Sequence, residues 1–394
     1  MTERAADQTL HVGVVGLGAA ARAMVPVLSR HPGIVLGAAA EIDPEIRERF
    51  RKDFDAKVYE RGEELIDADE VEAVYIATPS PTHVALADRA IAAGKHVLVE
   101  KPMALNLSDA DALIETADRQ HVCLMEDEQN SFDPPVRKAA EIIAAGSLGR
   151  PRMIHALHYG GWLYSPRMPE ELQPGPEWGG GVLMRQGPHQ LNIVRTLGGG
   201  HVFKVRGSVG IWDESRPVVG MYSAWLEFDN GTVATAVYSG YDRFQSSDLN
   251  LGIQAEDDRA YARSRKALRA PGAAEREALH RREVRYGGSM SRGDRGSTQP
   301  KTFGWLSSGV IIVSCEGGDI RITPTGLVVY GEETRDRIEL PLDETGRDEI
   351  VRQFYAAAVA GETPEHDARW SRATLAVCLA VQRSATEGAE VILD

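Results

Sequence analysis

The chain has 394 residues, with 44 Lys or Arg and 58 Asp or Glu, so its formal net charge is −14. Hydrophobic residues make up 43% and charged residues 26%, which is typical of a globular protein and excludes a disordered or collagenous chain. The acidic balance argues against general nucleic-acid binding and against an anionic membrane surface as partner, because both require a basic face.

The cysteines and the N-terminus bear on the cellular compartment. Cys123, Cys315 and Cys378 are far apart and form no CxxC or metal-ligand spacing, which argues against a disulfide framework. The first ten residues lack the apolar run of a signal peptide, and the apolar stretches are too short to span a bilayer. We therefore expect a cytoplasmic protein.

The N-terminal third alternates short apolar strands with helical stretches. Strands that are apolar on both faces indicate a parallel sheet covered by helices, and βαβ units of this kind form a doubly wound α/β domain. We place this domain at residues 1–128. The strands are predicted at Leu10–Val15, Ile34–Ala40, Val71–Ala77, His96–Val99 and Val122–Met125, and the helices at Ala19–Ser29, Pro44–Phe54, His83–Ala93 and Ser108–Gln120.

The pattern changes in residues 129–394. A helix at Asp133–Ala145 comes first, followed by consecutive strands with tight turns such as Asp229-Asn230-Gly231, which predict a mainly antiparallel sheet in an α+β domain. Residues 255–300 are an insertion, for which we predict an exposed helical part and a flexible Gly/Ser-rich part. The insertion could serve as an active-site lid or an oligomer contact, but a solvated insertion is the simpler interpretation. The strands are predicted at Arg152–Tyr159, Val202–Trp212, Val218–Phe228, Thr232–Ser239, Gly309–Cys315, Asp319–Thr323 and Leu327–Tyr330, and the last helices at Arg347–Ala360 and Ser371–Glu387.

A glycine-rich turn follows the first strand. Its sequence GLGAAA matches the GxGxxA pattern of dinucleotide-binding turns, in the required context between a strand and a helix. Gly16 permits the tight turn, Gly18 lets a pyrophosphate approach the backbone, and Ala21 allows close packing of helix and strand. Leu17 and Ala20 complete the candidate phosphate-binding loop at the helix N-terminus. Taken alone, the pattern also fits a glycine-rich turn of another α/β fold.

Glu41 ends the second strand, 41 − 21 = 20 residues beyond Ala21. An acidic side chain at this distance receives the ribose hydroxyls of NAD. The 2′-phosphate of NADP would meet the carboxylate at a cost of about 1–4 kcal/mol near 4 Å. The pattern predicts NAD rather than NADP, although Arg22 and Arg47 could offer a phosphate contact.

Two later strands end in polar residues, where ligands of parallel sheets bind. One end reads TPSPTH, from Thr78 to His83, and the other reads EKP, beginning with Glu100 and Lys101. Taken alone, the first fits a turn with a helix cap and the second a surface ion pair.

Taken together, these tracts resemble a known family. AVYIATPSPTH, AGKHVLVEKPMALN, GVVGLG and the later GGGVLMRQGPHQLNIVR resemble the glucose–fructose oxidoreductase/inositol dehydrogenase (Gfo/Idh/MocA) family over the whole chain. The resemblance implies a Rossmann domain, a second domain built on an open antiparallel sheet, and nicotinamide-dependent oxidation or reduction of a small hydroxylated substrate. Because an open sheet has an exposed face, we expect a homo-oligomer formed through the C-terminal sheet.

The resemblance also assigns roles to individual residues. It implies that Lys101 lies near the nicotinamide and the reacting hydroxyl, with Glu100 supporting it and a cis peptide bond before Pro102. It implies that His189 is the catalytic histidine. A lysine ammonium stabilises a developing oxyanion, and an imidazole exchanges a proton near neutral pH. The family positions that line the cofactor match Thr78, Pro79 and His83.

One position departs from the family. The acid that usually partners the catalytic histidine, four residues before it, is Arg185 here, and the next family acid is Asn192. A guanidinium binds carboxylates through two hydrogen bonds, so Arg185 favours an anionic substrate. If the segment is one helix, Arg185, His189 and Asn192 share a face, although Gly187-Pro188 could break that helix.

The tracts RQGPHQ and HDARWSRATLAVCLA resemble the phthalate 4,5-cis-dihydrodiol dehydrogenase branch of the family. This branch implies oxidation of a carboxylated cis-dihydrodiol to a catechol. Arg185 and Asn192 are then candidate substrate-binding residues. Trp162 or Trp178 could pack on the ring, although aromatic loop residues more often pack on the core.

Two other functions stay open: a sugar or polyol dehydrogenase of the same family, and a dinucleotide sensor, which would need neither Lys101 nor His189. We expect no metal site, because His155 and His158 point to opposite faces of a strand, and no HExxH, P-loop or GxSxG motif occurs.

Overall fold

The computed structural model describes residues 8–249, 263–289, 309–341 and 343–393. The chain divides into two compact units. Unit 1 holds the described parts of residues 1–127, 278–298 and 347–373, and unit 2 holds those of residues 128–277, 299–346 and 374–394. The division of the sequence into domains at residues 1–128 and 129–394 stays a prediction.

Unit 1 is built on a parallel sheet. Its strands are β1 (Leu10–Val15), β2 (Ile34–Ala40), β3 (Lys57–Tyr59), β4 (Ala73–Ile76), β5 (His96–Glu100) and β6 (Leu124–Asp127). Its N-terminal helices are α1 (Ala19–Arg30), α2 (Pro44–Phe54), α3 (Gly62–Ile66), α4 (His83–Ala92) and α5 (Leu107–Gln120). Within the described residues the strand order is β3-β2-β1-β4-β5-β6, and all neighbours are parallel.

This order confirms the predicted doubly wound sheet. β1 pairs with β2 on one side and β4 on the other, so the winding reverses between β1 and β4, and the crevice at their carboxyl ends is the ordinary ligand site of such sheets. The strands formed as predicted because their side chains are buried on both faces, as all four residues of β4 are. The short edge strand β3 carries no apolar run and escaped prediction.

Unit 2 is built on a mixed sheet. Its strands are β7 (Pro151–Tyr159), β8 (Val202–Gly210), β9 (Met221–Phe228), β10 (Val233–Ser239), β11 (Val310–Cys315), β12 (Gly318–Thr323), β13 (Gly326–Tyr330), β14 (Arg335–Glu339) and β15 (Val391–Ile392). In the part of the chain that is described, they lie in the order β14-β13-β12-β11-β7-β10-β9-β8-β15. β7 and β10 are parallel and the other pairs are antiparallel, which confirms the mainly antiparallel prediction.

Helices cover one face of this sheet. α6 (Pro134–Ala144) and α7 (Gly181–Gly198) come first, and α7 packs on β7, β9 and β10. The remaining helices are α8 (Arg263–Arg269), α9 (Ala273–Glu283), α10 (Gly346–Ala360) and α11 (Ala368–Glu387); the division between the units falls within the last three. α8 and α9 lie in the predicted insertion, whose residues 255–262 and 290–300 are outside the described part.

Candidate active site

The glycine-rich turn of unit 1 needs glycine for two reasons. Gly16 has a φ of +87°, and a Cβ there would lie 2.9 Å from the carbonyl oxygen of Ala77, so a side chain would be strained. A Cβ on Gly18, by contrast, would have nothing within 4 Å. The turn therefore leaves open space in front of the α1 N-terminus, whose first turn carries no acidic side chain. Free N–H groups facing open space fit a pyrophosphate.

Glu41 lies against the same turn. Its Oε2 accepts a hydrogen bond from the backbone N–H of Leu17 at 2.7 Å, and its Oε1 accepts one from the N–H of Asp43 at 3.1 Å. A carboxylate has about four acceptor positions, so these two bonds orient Glu41 and leave acceptor capacity for two ribose hydroxyls. The residues present thus fit the adenosine half of NAD, as predicted from the spacing.

The ends of β4, β5 and β6 bring together a buried polar cluster that was not predicted. The hydroxyl of Tyr75 lies 3.1 Å from Glu100 Oε1 and 3.2 Å from Asp127 Oδ2, and Arg347 Nε lies 3.6 Å from Asp127 Oδ2. Burial raises the pKa of Asp127 to about 7 against the charge of Arg347, with a further contribution from the charge of Glu100. Burial also acts to raise the pKa of Glu100, but the charges of Lys101 and Arg347 outweigh it and hold this pKa below its ordinary value.

This cluster fixes the charge next to Lys101. Because Glu100 favours the ionised form, it presents a carboxylate beside the half-buried Lys101, while Asp127 favours the neutral form. An anion at this place stabilises the lysine as an ammonium, which is the form that can support an oxyanion. Lys101 precedes a cis peptide bond to Pro102, which confirms that expectation.

His83 lies beneath the same loops. It is 1% exposed, with Nδ1 2.9 Å from the carbonyl oxygen of Pro102 and Nε2 2.8 Å from that of Thr78. The ring thereby ties the loop after β4 to the loop after β5. Contact of Thr78, Pro79 and His83 with the cofactor stays a prediction.

In unit 2, α7 carries the other predicted site residues. It runs through Gly187 and Pro188 without a break, so Arg185, His189 and Asn192 do share one face. A Cβ on Gly187 would lie 3.3 Å from the sulfur of Cys378, which shows how closely the helix packs there. Burial of most of α7 offsets the hydrogen bond that Pro188 cannot donate.

His189 has an acidic partner that sequence reasoning missed. Its Nδ1 lies 2.6 Å from Oε1 and 3.1 Å from Oε2 of Glu128, and both side chains are buried. The family position for this acid holds Arg185, but Glu128, just after β6, takes its place. A proton donated from Nδ1 to the carboxylate leaves the acceptor lone pair on Nε2, so the pair can take up a proton there. The one signal in the sequence was the acidic run Glu126-Asp127-Glu128 at a strand end.

Arg185 is 8% exposed, and its Nη2 donates to the carbonyl oxygen of Trp178 at 2.9 Å. Trp162 is buried beneath the guanidinium of Arg167, 4.4 Å from its ring centre, and its indole N–H has no hydrogen-bond partner among the described residues. A buried donor of this kind fits a ligand acceptor.

The amide of Asn192 is engaged within unit 2. Its Nδ2 donates to Ser131 Oγ at 2.9 Å, and its Oδ1 accepts from Thr374 Oγ1 at 3.4 Å. The amide thus holds α7 in place, and its contact with a substrate stays a prediction.

The described residues contain no group of three or more His, Cys, Asp or Glu side chains arranged to hold a metal ion. In the same part of the chain, every helix is too short or too polar to cross a membrane.

The strand order of unit 1, its glycine turn and Glu41 define a dinucleotide-binding protein. The chain belongs to the Gfo/Idh/MocA family. Residues 10–128 match the family model described as oxidoreductase family, NAD-binding Rossmann fold, and residues 136–257 match the GFO/IDH/MocA C-terminal domain. It is therefore an oxidoreductase with NAD as its cofactor.

Related proteins match nearly the full length of this chain. A 1-carboxy-3-chloro-3,4-dihydroxycyclohexa-1,5-diene dehydrogenase from Comamonas testosteroni is 35% identical over 94% of each chain. A structure from Bordetella bronchiseptica RB50, provisionally named a dehydrogenase, is 34% identical with a TM-score of 0.86 and covers 98% of this chain and 100% of its own. The WlbA dehydrogenase from Bordetella pertussis, solved with NADH and UDP-GlcNAcA, shares the fold at 18% identity and a TM-score of 0.72, over 98% of this chain and 99% of its own.

Proposed function

We propose that this protein is an NAD-dependent dehydrogenase that oxidises one hydroxyl of a small carboxylated cyclic cis-diol. The observation that carries the proposal is the face of α7, where a buried Arg185 stands one turn before the His189–Glu128 pair. The Comamonas relative is named for a substrate with a carboxyl group and two hydroxyls on a cyclohexadiene ring, which supports the same substrate class.

The proposed chemistry assigns separate roles to His189, Glu128 and Lys101. The chemistry that NAD would supply when bound is a hydride acceptor for the carbinol carbon. His189 takes the hydroxyl proton on Nε2, and Glu128 stabilises the imidazolium that results. Lys101, kept as an ammonium beside Glu100, stabilises the alkoxide that develops on the substrate oxygen.

The proposed carboxylate site consists of Arg185 with the indole N–H of Trp162. A buried guanidinium binds a carboxylate more strongly than an exposed one, because less water competes for its donors. A neutral sugar offers no carboxylate to this guanidinium, so Arg185 disfavours the alternative of a sugar or polyol dehydrogenase. The placement of Lys101 beside Glu100 and of His189 on Glu128 disfavours a dinucleotide sensor, which needs no proton transfer.

A substrate panel followed by NADH absorbance tests the proposal. It contains a carboxylated cis-dihydrodiol, the same diol without the carboxyl group, myo-inositol and glucose. We expect the carboxylated diol to be turned over faster than the other compounds. Lys101→Met should turn over none of them, although this variant should still bind NADH. Turnover of myo-inositol or glucose alone would support the sugar or polyol enzyme, and NADH binding without turnover of any compound would support a sensor.

We also propose that the protein is a homo-oligomer that works in the cytoplasm. Among the described residues, one face of the unit 2 sheet exposes large apolar side chains, which supports an oligomer: Trp225 on β9 is 41% exposed and Met153 on β7 is 39% exposed, with β10 between the two strands. Light scattering that finds a monomer at micromolar concentration would contradict it. Three free cysteines support a reducing compartment, and fractionation of cells would test this.

A further inference from the structure

A segment of the insertion lies against the nucleotide end of unit 1. This segment, residues 283–287, is called the strap here. The backbone N–H of Tyr286 donates to the carbonyl oxygen of Leu17 at 3.2 Å, in the middle of the glycine turn. The Tyr286 ring packs on Phe50 of α2 with 5.5 Å between ring centres, and its hydroxyl donates to Asp53 at 3.0 Å. The strap is thus anchored to both the glycine turn and α2.

Three arginines surround the end of β2 next to Glu41, and each is already engaged by the protein. Arg22 Nη1 donates to the strap carbonyl of Glu283 at 2.8 Å. Arg47 Nη1 donates to the backbone carbonyls of Glu41 and Ile42. Arg285, on the strap itself, pairs with Asp43 at 3.2 Å. These guanidinium groups are the cations that a 2′-phosphate beside Glu41 would need.

One carboxylate oxygen of Asp43 pairs with Arg285, and the other caps the N-terminus of α2. Its Oδ1 accepts from the N–H of Glu45 at 3.0 Å as the helix N-cap, and its Oδ2 faces Arg285. Only a third of either side chain in the ion pair is exposed, so the pair is partly shielded from water. Glu41 in turn accepts from the N–H of Asp43, which places both carboxylates at the end of β2.

We propose that the strap is a cofactor-selectivity element that keeps Arg285 on Asp43 and Arg22 on the strap backbone. A 2′-phosphate then meets the carboxylates of Glu41 and Asp43 before it meets a cation, whereas the ribose hydroxyls of NAD need only an acceptor. This inference goes beyond the proposed function, because it concerns the dinucleotide alone and holds for any substrate.

A double-variant cycle with NADH and NADPH tests the strap. Asp43→Asn keeps the N-cap, because Asn caps helices as well as Asp does, but it removes the charge that holds Arg285. Dissociation constants come from nucleotide fluorescence with the purified full chain and no substrate. We expect Asp43→Asn to shift the ratio of the NADPH and NADH constants by about tenfold or more in favour of NADPH.

The second variant decides whether the strap is responsible. Adding Arg285→Gln to Asp43→Asn is expected to cancel most of that shift, since the released guanidinium is the cation that binds the 2′-phosphate. Asp69→Asn, on an exposed loop of the same unit, is the charge-matched control and should leave the ratio unchanged. An equal shift with and without Arg285, or no shift in Asp43→Asn, overturns the proposal.

Discussion

At the scale of single residues, Glu128 decides what His189 can do. A buried imidazole without an acidic partner binds a proton poorly, whereas the carboxylate 2.6 Å from Nδ1 fixes the tautomer and stabilises the imidazolium. The sequence alone indicated that this partner had been lost, because the usual position holds Arg185. The replacement lies 61 residues earlier in the chain, and a spacing of that kind becomes a contact only through the fold.

Glu128→Gln tests this partnership, since Gln keeps the shape and an acceptor oxygen but removes the charge. We expect kcat to fall by about 10²-fold or more with the NADH dissociation constant unchanged, because the glutamate acts on the histidine and not on the cofactor. The acid limb of the pH–rate profile should move to lower pH, since the imidazolium loses its counter-charge. Glu141→Gln, on the exposed side of α6, is the control. An unchanged kcat and pH profile would contradict the role.

At the scale of elements, the parallel strands of unit 1 concentrate acids at one edge. β5 and β6 pair Glu100 with Asp127, two carboxyls in register at adjacent strand ends. Burial raises the pKa of Asp127, with a further contribution from the charge of Glu100, although the charge of Arg347 and the hydrogen bond from Tyr75 act to lower it. Asp127 therefore holds a proton more readily than Glu100, whose pKa is lowered. Sequence reasoning identified Glu100 from its motif but not Asp127, because register between strands cannot be read from one segment.

The raised pKa of Asp127 predicts a pH-dependent stability. Since the folded state has a pKa of about 7 and the ordinary value is 3.8, the folded protein binds more protons between these values. Protonated Asp127 therefore contributes to stability at low pH, and this contribution is lost as the pH rises toward 7. Asp127→Asn should flatten the dependence of Tm on pH between about pH 4 and pH 7 and gain most, relative to wild type, at the upper end. Calorimetry at both pH values checks this, and identical slopes for the two proteins would contradict it.

The fold itself was predictable where burial imposes a pattern. The parallel strands are apolar on both faces, and α6 begins and ends with strong signals at Pro134 and Gly146. β14 escaped prediction because its residues, from Arg335 to Glu339, are charged and mostly exposed. The continuity of α7 was left open because Gly187-Pro188 opposes a helix locally, and the packing that overrides it is tertiary.

At the scale of the whole molecule, an acidic protein binds an anionic cofactor through local features. The net charge of −14 repels anions at long range, but the α1 N-terminus presents backbone donors. Neither composition nor fold identifies a substrate, since one fold serves many of them. The choice between an acidic diol and a neutral sugar rests on one buried guanidinium in unit 2, that of Arg185.

The most direct measurement is kcat/KM for a carboxylated cis-dihydrodiol and for the same diol without its carboxyl group, in wild type and in Arg185→Gln. Wild type should favour the carboxylated diol by about tenfold to a hundredfold, the value of a hydrogen-bonded charged contact. In Arg185→Gln this preference should nearly vanish, while turnover of the neutral diol stays close to that of wild type. An equal preference in both proteins, or a wild type that favours the neutral diol, would contradict the account.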